Sequence, residues 1–247
     1  MIQQTLGYLK EMRLSVMEAE YRRQGELGAW GELSFDERFS LLVDAEWRER
    51  KNKKLHRLLK AAHLREAGAC LEEIDYGGGR GIDKGHVAHL SDCAWIKEGR
   101  HMLVTGPCGT GKTYISCAFA NAACRKGYYV KCLRVSRLLV DLQVGRGDGS
   151  WVKILTDLKK PDLLVLDDFG LEEIQTIHCR DFLEVIDDRS PGRSILIISQ
   201  LPVSSWHGVF VDPTIAEAIL DRLLHQAIRF ELKGISKRQE QKEKLRK

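Results

Sequence analysis

Two hydrophobic rhythms divide the 247-residue chain. Up to about residue 75, apolar positions return at three- and four-residue steps: first Leu6, Leu9 and Met12, then Phe39, Leu42, Val43, Trp47, Leu55, Leu58 and Leu59. That spacing predicts helices, the second long and amphipathic. Ser34 stands before it as an N-cap, with Glu37 three residues on as its capping-box partner, and no proline interrupts the run. The sequence Tyr76-Gly77-Gly78-Gly79-Arg80-Gly81 cannot continue a helix cheaply. We therefore expect a helical domain over 1–75 and a second domain over 76–247.

From about residue 86 the rhythm changes. Short apolar runs at 101–105, 128–133, 163–167, 195–199 and 228–232 read as strands. Helical periodicity fills 112–126, through Ile115, Ala118, Phe119 and Ala122, and returns over 215–226. Buried parallel strands read as continuous apolar runs, and strands alternating with helices imply βαβ units. The expected fold class is α/β, a parallel sheet between helices, preceded by a small all-α domain.

The strongest chemical signal follows the first strand. Gly106-Pro107-Cys108-Gly109-Thr110-Gly111-Lys112-Thr113, with Tyr114 next, matches the P-loop pattern and opens a helix. Its glycines let backbone N–H groups turn toward phosphates, and the helix N-terminus adds partial positive charge. Lys112 is expected to reach the β- and γ-phosphates of ATP, and the Thr113 hydroxyl to coordinate magnesium. The strand Leu163–Leu166 ends in Asp167 and Asp168. Asp167 is the expected magnesium-side carboxylate, and Asp168 the group that polarises the attacking water. Gln200, after the next strand, could contact the γ-phosphate or be a loop residue. Arg222 could be a surface charge or an arginine finger for a neighbouring subunit.

Composition alters this picture in two places. The formal charge of +4 is small, but it is unevenly spread. Eight Lys or Arg face one acid between Arg48 and Arg65, and eight face three between Arg229 and Lys247. Such blocks point to a polyanion, or else to solvated helix faces. The seven cysteines form no C-x-x-C pair, which points away from zinc. Cys117 and Cys124, seven apart, read as packing residues of one helix face. No apolar run is long enough to span a membrane and the N-terminus lacks a signal-peptide pattern, so the expected setting is cytoplasmic.

The runs Gly106–Thr113 and Leu163–Gly170 resemble the DnaC-like clade of AAA+ ATPases. More specifically, Ser199–His207, Asp212–Leu223 and Arg229–Gly234 resemble the IstB helper ATPases of insertion-sequence transposition. Leu9–Leu14 and Leu33–Arg38 are similar to that family's helical N-terminal domain, so the likeness covers nearly the whole chain. The resemblance implies an AAA+ P-loop core that binds ATP and magnesium and forms homo-oligomers with ATP at subunit interfaces. It also implies assembly on duplex DNA, DNA bending, and recruitment and stimulation of a transposase. By position it makes Gln200 the sensor-1 residue, Arg222 the arginine finger and Arg238 the sensor-2 residue. It also makes Arg134 and Arg137, just after the second strand, candidate DNA contacts. Two departures stand out: the magnesium strand ends Asp-Asp where many AAA+ proteins have Asp-Glu, and Gly234-Ile235-Ser236-Lys237-Arg238 replaces a usual Gly-Glu-Ser-Met-Arg. Two other readings remain open: a DnaC-type loader of a replicative helicase, and a structural DNA-bending protein that uses ATP for assembly.

Overall fold

The computed structural model describes residues 2–26, 32–77, 79–189 and 192–234. Arg238 and the basic tail from 235 onward lie outside the described residues. Two compact units separate at Arg57/Leu58, inside a helix, so residues 58–75 belong by packing to the second unit.

The first unit comprises α1 (Ile2–Glu11), α2 (Ser15–Glu26) and the start of α3 (Phe35–Ala62). The capping box forms: Ser34 N–H donates to Glu37 Oε2 at 2.8 Å, and Glu37 N–H donates back to Ser34 Oγ at 3.3 Å. Leu6, Leu9 and Leu42 are buried. Beside them lies a buried charge, Glu46, whose Oε2 accepts from the N–H groups of Val16 and Met17 at 3.0 and 3.1 Å. This carboxylate satisfies orphan donors at the start of α2, where the helix dipole favours a negative charge. Those hydrogen bonds and Arg50 outweigh the cost of burial and hold the Glu46 carboxyl below its usual range.

The second unit begins with the end of α3, followed by α4 (Lys84–Leu90) and α5 (Ala94–Lys97). Then come β1 (Met102–Thr105), α6 (Lys112–Arg125), β2 (Val130–Arg134), α7 (Val135–Asp148) and α8 (Trp151–Lys159). The chain continues through β3 (Leu163–Phe169), α9 (Thr176–Asp187), β4 (Ser194–Ser199), α10 (Pro213–Leu224) and β5 (Ile228–Glu231). All five strands predicted from the sequence form, and they pair in the order β2-β3-β4-β1-β5, every pair parallel. Every residue of β1 and β4 is buried, the burial expected of a parallel sheet covered on both faces. Cys117 and Cys124 are each 1% exposed on α6, as packing residues should be.

An aromatic cluster supports the far end of the sheet. Phe169 of β3 packs on Trp206 with ring centroids 4.7 Å apart, and on Phe182 and Phe210 at 6.0 and 5.9 Å. Trp206 Nε1–H donates to Leu201 O at 3.2 Å, fixing the chain just after Gln200. The near end rests on buried polar groups. The Arg189 guanidinium, 1% exposed, donates to the carbonyls of Leu158, Pro161 and Ser194 at 2.7, 3.1 and 2.7 Å. His101, before β1, accepts at Nδ1 from Ile195 N–H at 3.1 Å.

That histidine carries a pH prediction. Burial, then the nearby Arg189 charge, push its pKa down from 6.5 to about 4. The unfolded chain therefore binds more protons between these values, and stability falls as pH drops through that window. Over pH 7 to 4.5 the loss attributable to His101 is about 2 kcal/mol. Denaturant titrations at both pH values, on wild type and His101→Asn, check this. The variant should lose less stability over the same interval, and equal losses would acquit His101.

Candidate nucleotide site

The P-loop bridges β1 and α6. Gly106, at φ +140°, passes so close to the chain after β5 that a Cβ there would lie 2.3 Å from Leu232 O. Gly111, at φ +97°, caps α6 in the left-handed region without a side-chain cap. The first N–H groups of α6 thus keep their donors for an anion. Pro107 O gathers the polar side chains of the loop, accepting from Thr110 Oγ1 at 2.9 Å and from Lys112 Nζ at 2.7 Å. Burial lowers the Lys112 pKa, opposed by Cys108, Asp167 and Asp168.

Asp167 and Asp168 close the site from β3. Successive strand side chains ordinarily point to opposite faces. Here Asp168 adopts φ +61°, and the β3–β4 register shifts between Leu166 and Phe169. This irregularity brings both carboxylates to one cavity, and Asp168 N–H donates to Asp167 Oδ1 at 2.9 Å. Burial, then the neighbouring Asp168 charge, push the Asp167 carboxyl above its usual range. Ser199 Oγ–H donates to Phe169 O at 2.8 Å, tying the ends of β3 and β4 together beside Gln200.

The resulting cavity measures about 290 Å³ and brings together Lys112, Thr113, Asp167, Asp168 and Gln200. Cys108, Gly109, Gly111 and Tyr114 also line it. Tyr114 and Gly111 further line a neighbouring cavity of about 310 Å³, walled by Ile74, Ile82 and Ile115, and Tyr114 OH donates to Glu73 Oε2 at 3.3 Å. The hard oxygens of Thr113 and Asp167 are the donor type that a magnesium ion selects.

Three predicted residues are not among those lining the cavity, and a fourth lies outside the described residues. Arg222 is outside the cavity lining; its Nη1 donates to Ala218 O at 2.8 Å and its Nε pairs with Asp187. Arg137 pairs with Asp141 along α7 at 3.0 Å. Arg134 Nε lies 3.6 Å from Asp168 Oδ2, which links this candidate DNA contact to the site itself. Arg238 lies outside the described residues. The sequence motifs missed Arg65, which lines the cavity and faces both carboxylates. No motif contains it, and its single sequence signal is membership of the basic block 48–65.

A five-stranded parallel sheet in this order, with a P-loop leaving β1 and paired carboxylates at the end of β3, defines a P-loop protein of the AAA+ class. Residues 7–245 match the model of the IstB-like ATP binding protein family, and the chain belongs to that family. It is 45% identical over 205 residues to the ATP-binding protein of insertion sequence IS1162 from Pseudomonas fluorescens, covering 83% of this chain and 89% of that one. It is 39% identical over 240 residues to an insertion-sequence ATP-binding protein of Sinorhizobium fredii, covering 97% and 98%. Among solved structures, the DnaC helicase loader superimposes with a TM-score of 0.55 at 19% identity, over 67% of this chain and 97% of that chain, a likeness of fold. No helix among the described residues is long and apolar enough to cross a membrane.

Proposed function

We propose that the chain is an ATP-hydrolysing helper of transposition that assembles on duplex DNA and engages a transposase. The observation that carries the ATPase reading is the cavity itself, which joins a P-loop lysine, a hydroxyl, two carboxylates and an amide within about 290 Å³. Lys112 and the N-terminus of α6 hold the phosphates, and the apolar-walled cavity beyond Tyr114 takes the base. Thr113 and Asp167 hold magnesium, which on binding offsets phosphate charge. Asp168 orients and polarises water, and Gln200 contacts the γ-phosphate.

Membership of an insertion-sequence family favours transposition over helicase loading, since the resemblance to the loader is one of fold. Two features of α3 support partners. Phe35, Phe39, Val43 and Trp47 recur every four residues and are all exposed, at 70, 49, 43 and 57%. The expected amphipathic face is thus largely uncovered, and such a stripe suits a protein partner. Further along, Lys54, Arg57 and Lys60 have no carboxylate at ion-pair distance among the described residues, while Arg48, Arg50 and Lys53 are paired within the helix. Those three cations suit a phosphate backbone.

Arg222 is the proposed finger acting on a neighbour's ATP, which makes assembly and hydrolysis interdependent. With ATP and duplex DNA, light scattering should find oligomers larger than dimers that retain the transposase encoded by the same element; with ADP, mostly smaller species. Arg222→Ala and Lys112→Ala should each be inactive alone. Mixed, they should regain part of the ATPase activity at interfaces that join an intact P-loop to an intact finger. A particle size indifferent to nucleotide, with no recovery on mixing, would overturn the finger.

A further inference from the structure

The nucleotide cavity contains a cation that no phosphate-binding motif supplies. Arg65 lies three residues beyond the end of α3. Its Nη1 is 3.6 Å from Asp167 Oδ2 and 3.9 Å from Asp168 Oδ2, so one guanidinium nitrogen faces both carboxylates. Asp167 is 5% exposed, and two adjacent carboxylates at that depth repel unless a positive charge stands close. Lys112 Nζ meanwhile donates to Pro107 O.

Arg65 is also held in place by its neighbours. Two residues beyond Arg65, Ala67 O accepts from Asn121 Nδ2–H at 3.4 Å. That contact comes from α6, the helix whose first turn ends the P-loop. The segment carrying Arg65 is therefore mounted on the same helix that presents Lys112 and Thr113.

We propose that Arg65 is the resident counter-ion of Asp167, with Arg134 beside it at Asp168, and competes with a divalent metal for Asp167. The proposal rests on the reading that Asp167 is a metal-side residue. A metal ion on Asp167 Oδ2 would stand beside the like charge of Arg65, so a free divalent ion binds against that repulsion or displaces the guanidinium, with no other gain. A metal that arrives with nucleotide brings phosphate oxygens as additional ligands, and the phosphates offer the displaced guanidinium a new anionic partner inside the same cavity. Arg65 thus sets a preference: the site accepts metal with nucleotide and resists metal alone. It is a positioning residue, since it acts through Asp167 and Asp168.

The test uses Mn²⁺ as the probe. Free Mn²⁺ is followed by its electron paramagnetic resonance signal while full-length protein is added without nucleotide. Arg65→Gln should bind one Mn²⁺ about tenfold tighter than wild type, since an opposite charge beside a carboxylate is worth roughly one to three units of proton affinity. Arg65→Lys keeps the charge on a shorter reach and should tighten binding less, about threefold. Adding Asp167→Asn to Arg65→Gln should abolish the gain. Melting curves give a second readout: Arg65→Gln should melt below wild type in EDTA and gain more from millimolar Mn²⁺. If Arg65→Gln does not fold, Arg65→Lys carries the same comparison. Equal Mn²⁺ affinity in wild type and every folded Arg65 variant, with binding still lost on Asp167→Asn, would overturn the counter-ion role and leave the metal reading intact. Mn²⁺ binding that ignores Asp167→Asn would overturn the metal reading itself.

Discussion

Lys112→Ala is expected to lose ATP binding while keeping the fold. Lys112 is 8% exposed at the first position of α6, and in the proposed function its ammonium is the P-loop's charged donor toward the phosphates. Hydrogen bonds to charged groups contribute about 1.5–3 kcal/mol each. Losing one to each of two phosphates therefore costs about 3–6 kcal/mol, or roughly two to four orders of magnitude in affinity. The scaffold should tolerate the change. Alanine is the best helix former, and Pro107 O, which loses Nζ as a donor, still accepts from Thr110 Oγ1 at 2.9 Å. The variant also removes a buried charge whose desolvation already lowers its pKa. A fluorescent ATP analogue titrated into both proteins, with circular dichroism as the folding control, makes the comparison. Binding of the variant at wild-type affinity would remove the phosphates from this loop.

The strands and the P-loop were legible because both are local. Five apolar runs became five strands, and the eight-residue motif carries its own turn geometry and helix start. The parts that stayed hidden depend on contacts between distant segments. Arg65 reaches Asp167 across a hundred residues of sequence, and nothing in its own neighbourhood distinguishes it from the other cations of the basic block. Arg134 read as a candidate DNA contact just after the second strand; parallel pairing sets it opposite Asp167 and within ion-pair distance of Asp168. Glu46 lay in a polar stretch of α3 and became a buried cap for α2. Conversely, the apolar spacing of Phe39, Val43 and Trp47 predicted a buried face, but a small helical unit covers Leu42 and leaves those three exposed. Helix α7 escaped the sequence reading in part because Gly145 and Gly147 interrupt its pattern. Gly145 sits where a Cβ would meet the α8 segment, 3.0 Å from Trp151 N, which is why α7 tolerates it.

The backbone at Asp168 determines which substitution best tests its chemistry. At φ +61° most residues are strained, but Asp and Asn tolerate the left-handed region, so Asp168→Asn keeps the local fold where alanine would confound strain with lost charge. The amide retains the shape of the carboxylate and cannot take up a proton from water. It also reduces the repulsion on Asp167, whose carboxyl Asp168 helps to push up. The metal-side carboxylate should therefore ionise at least as readily, and ATP should bind at or near wild-type strength. Phosphate release should nevertheless fall by about two to four orders of magnitude, the usual contribution of a positioned general base. Single-turnover phosphate release, measured beside an ATP-binding titration on the same preparation, separates the two effects. Release at the wild-type rate would move the base elsewhere, with Glu172 and Glu173 next to examine, because they line the adjoining cavity that Asp168 shares with Arg134. The same variant distinguishes a switch from a scaffold. If ATP serves assembly alone, Asp168→Asn should support transposition as well as wild type does. If hydrolysis must release the assembly from DNA, Asp168→Asn should form the ATP-dependent particle, hold it, and fail to turn over.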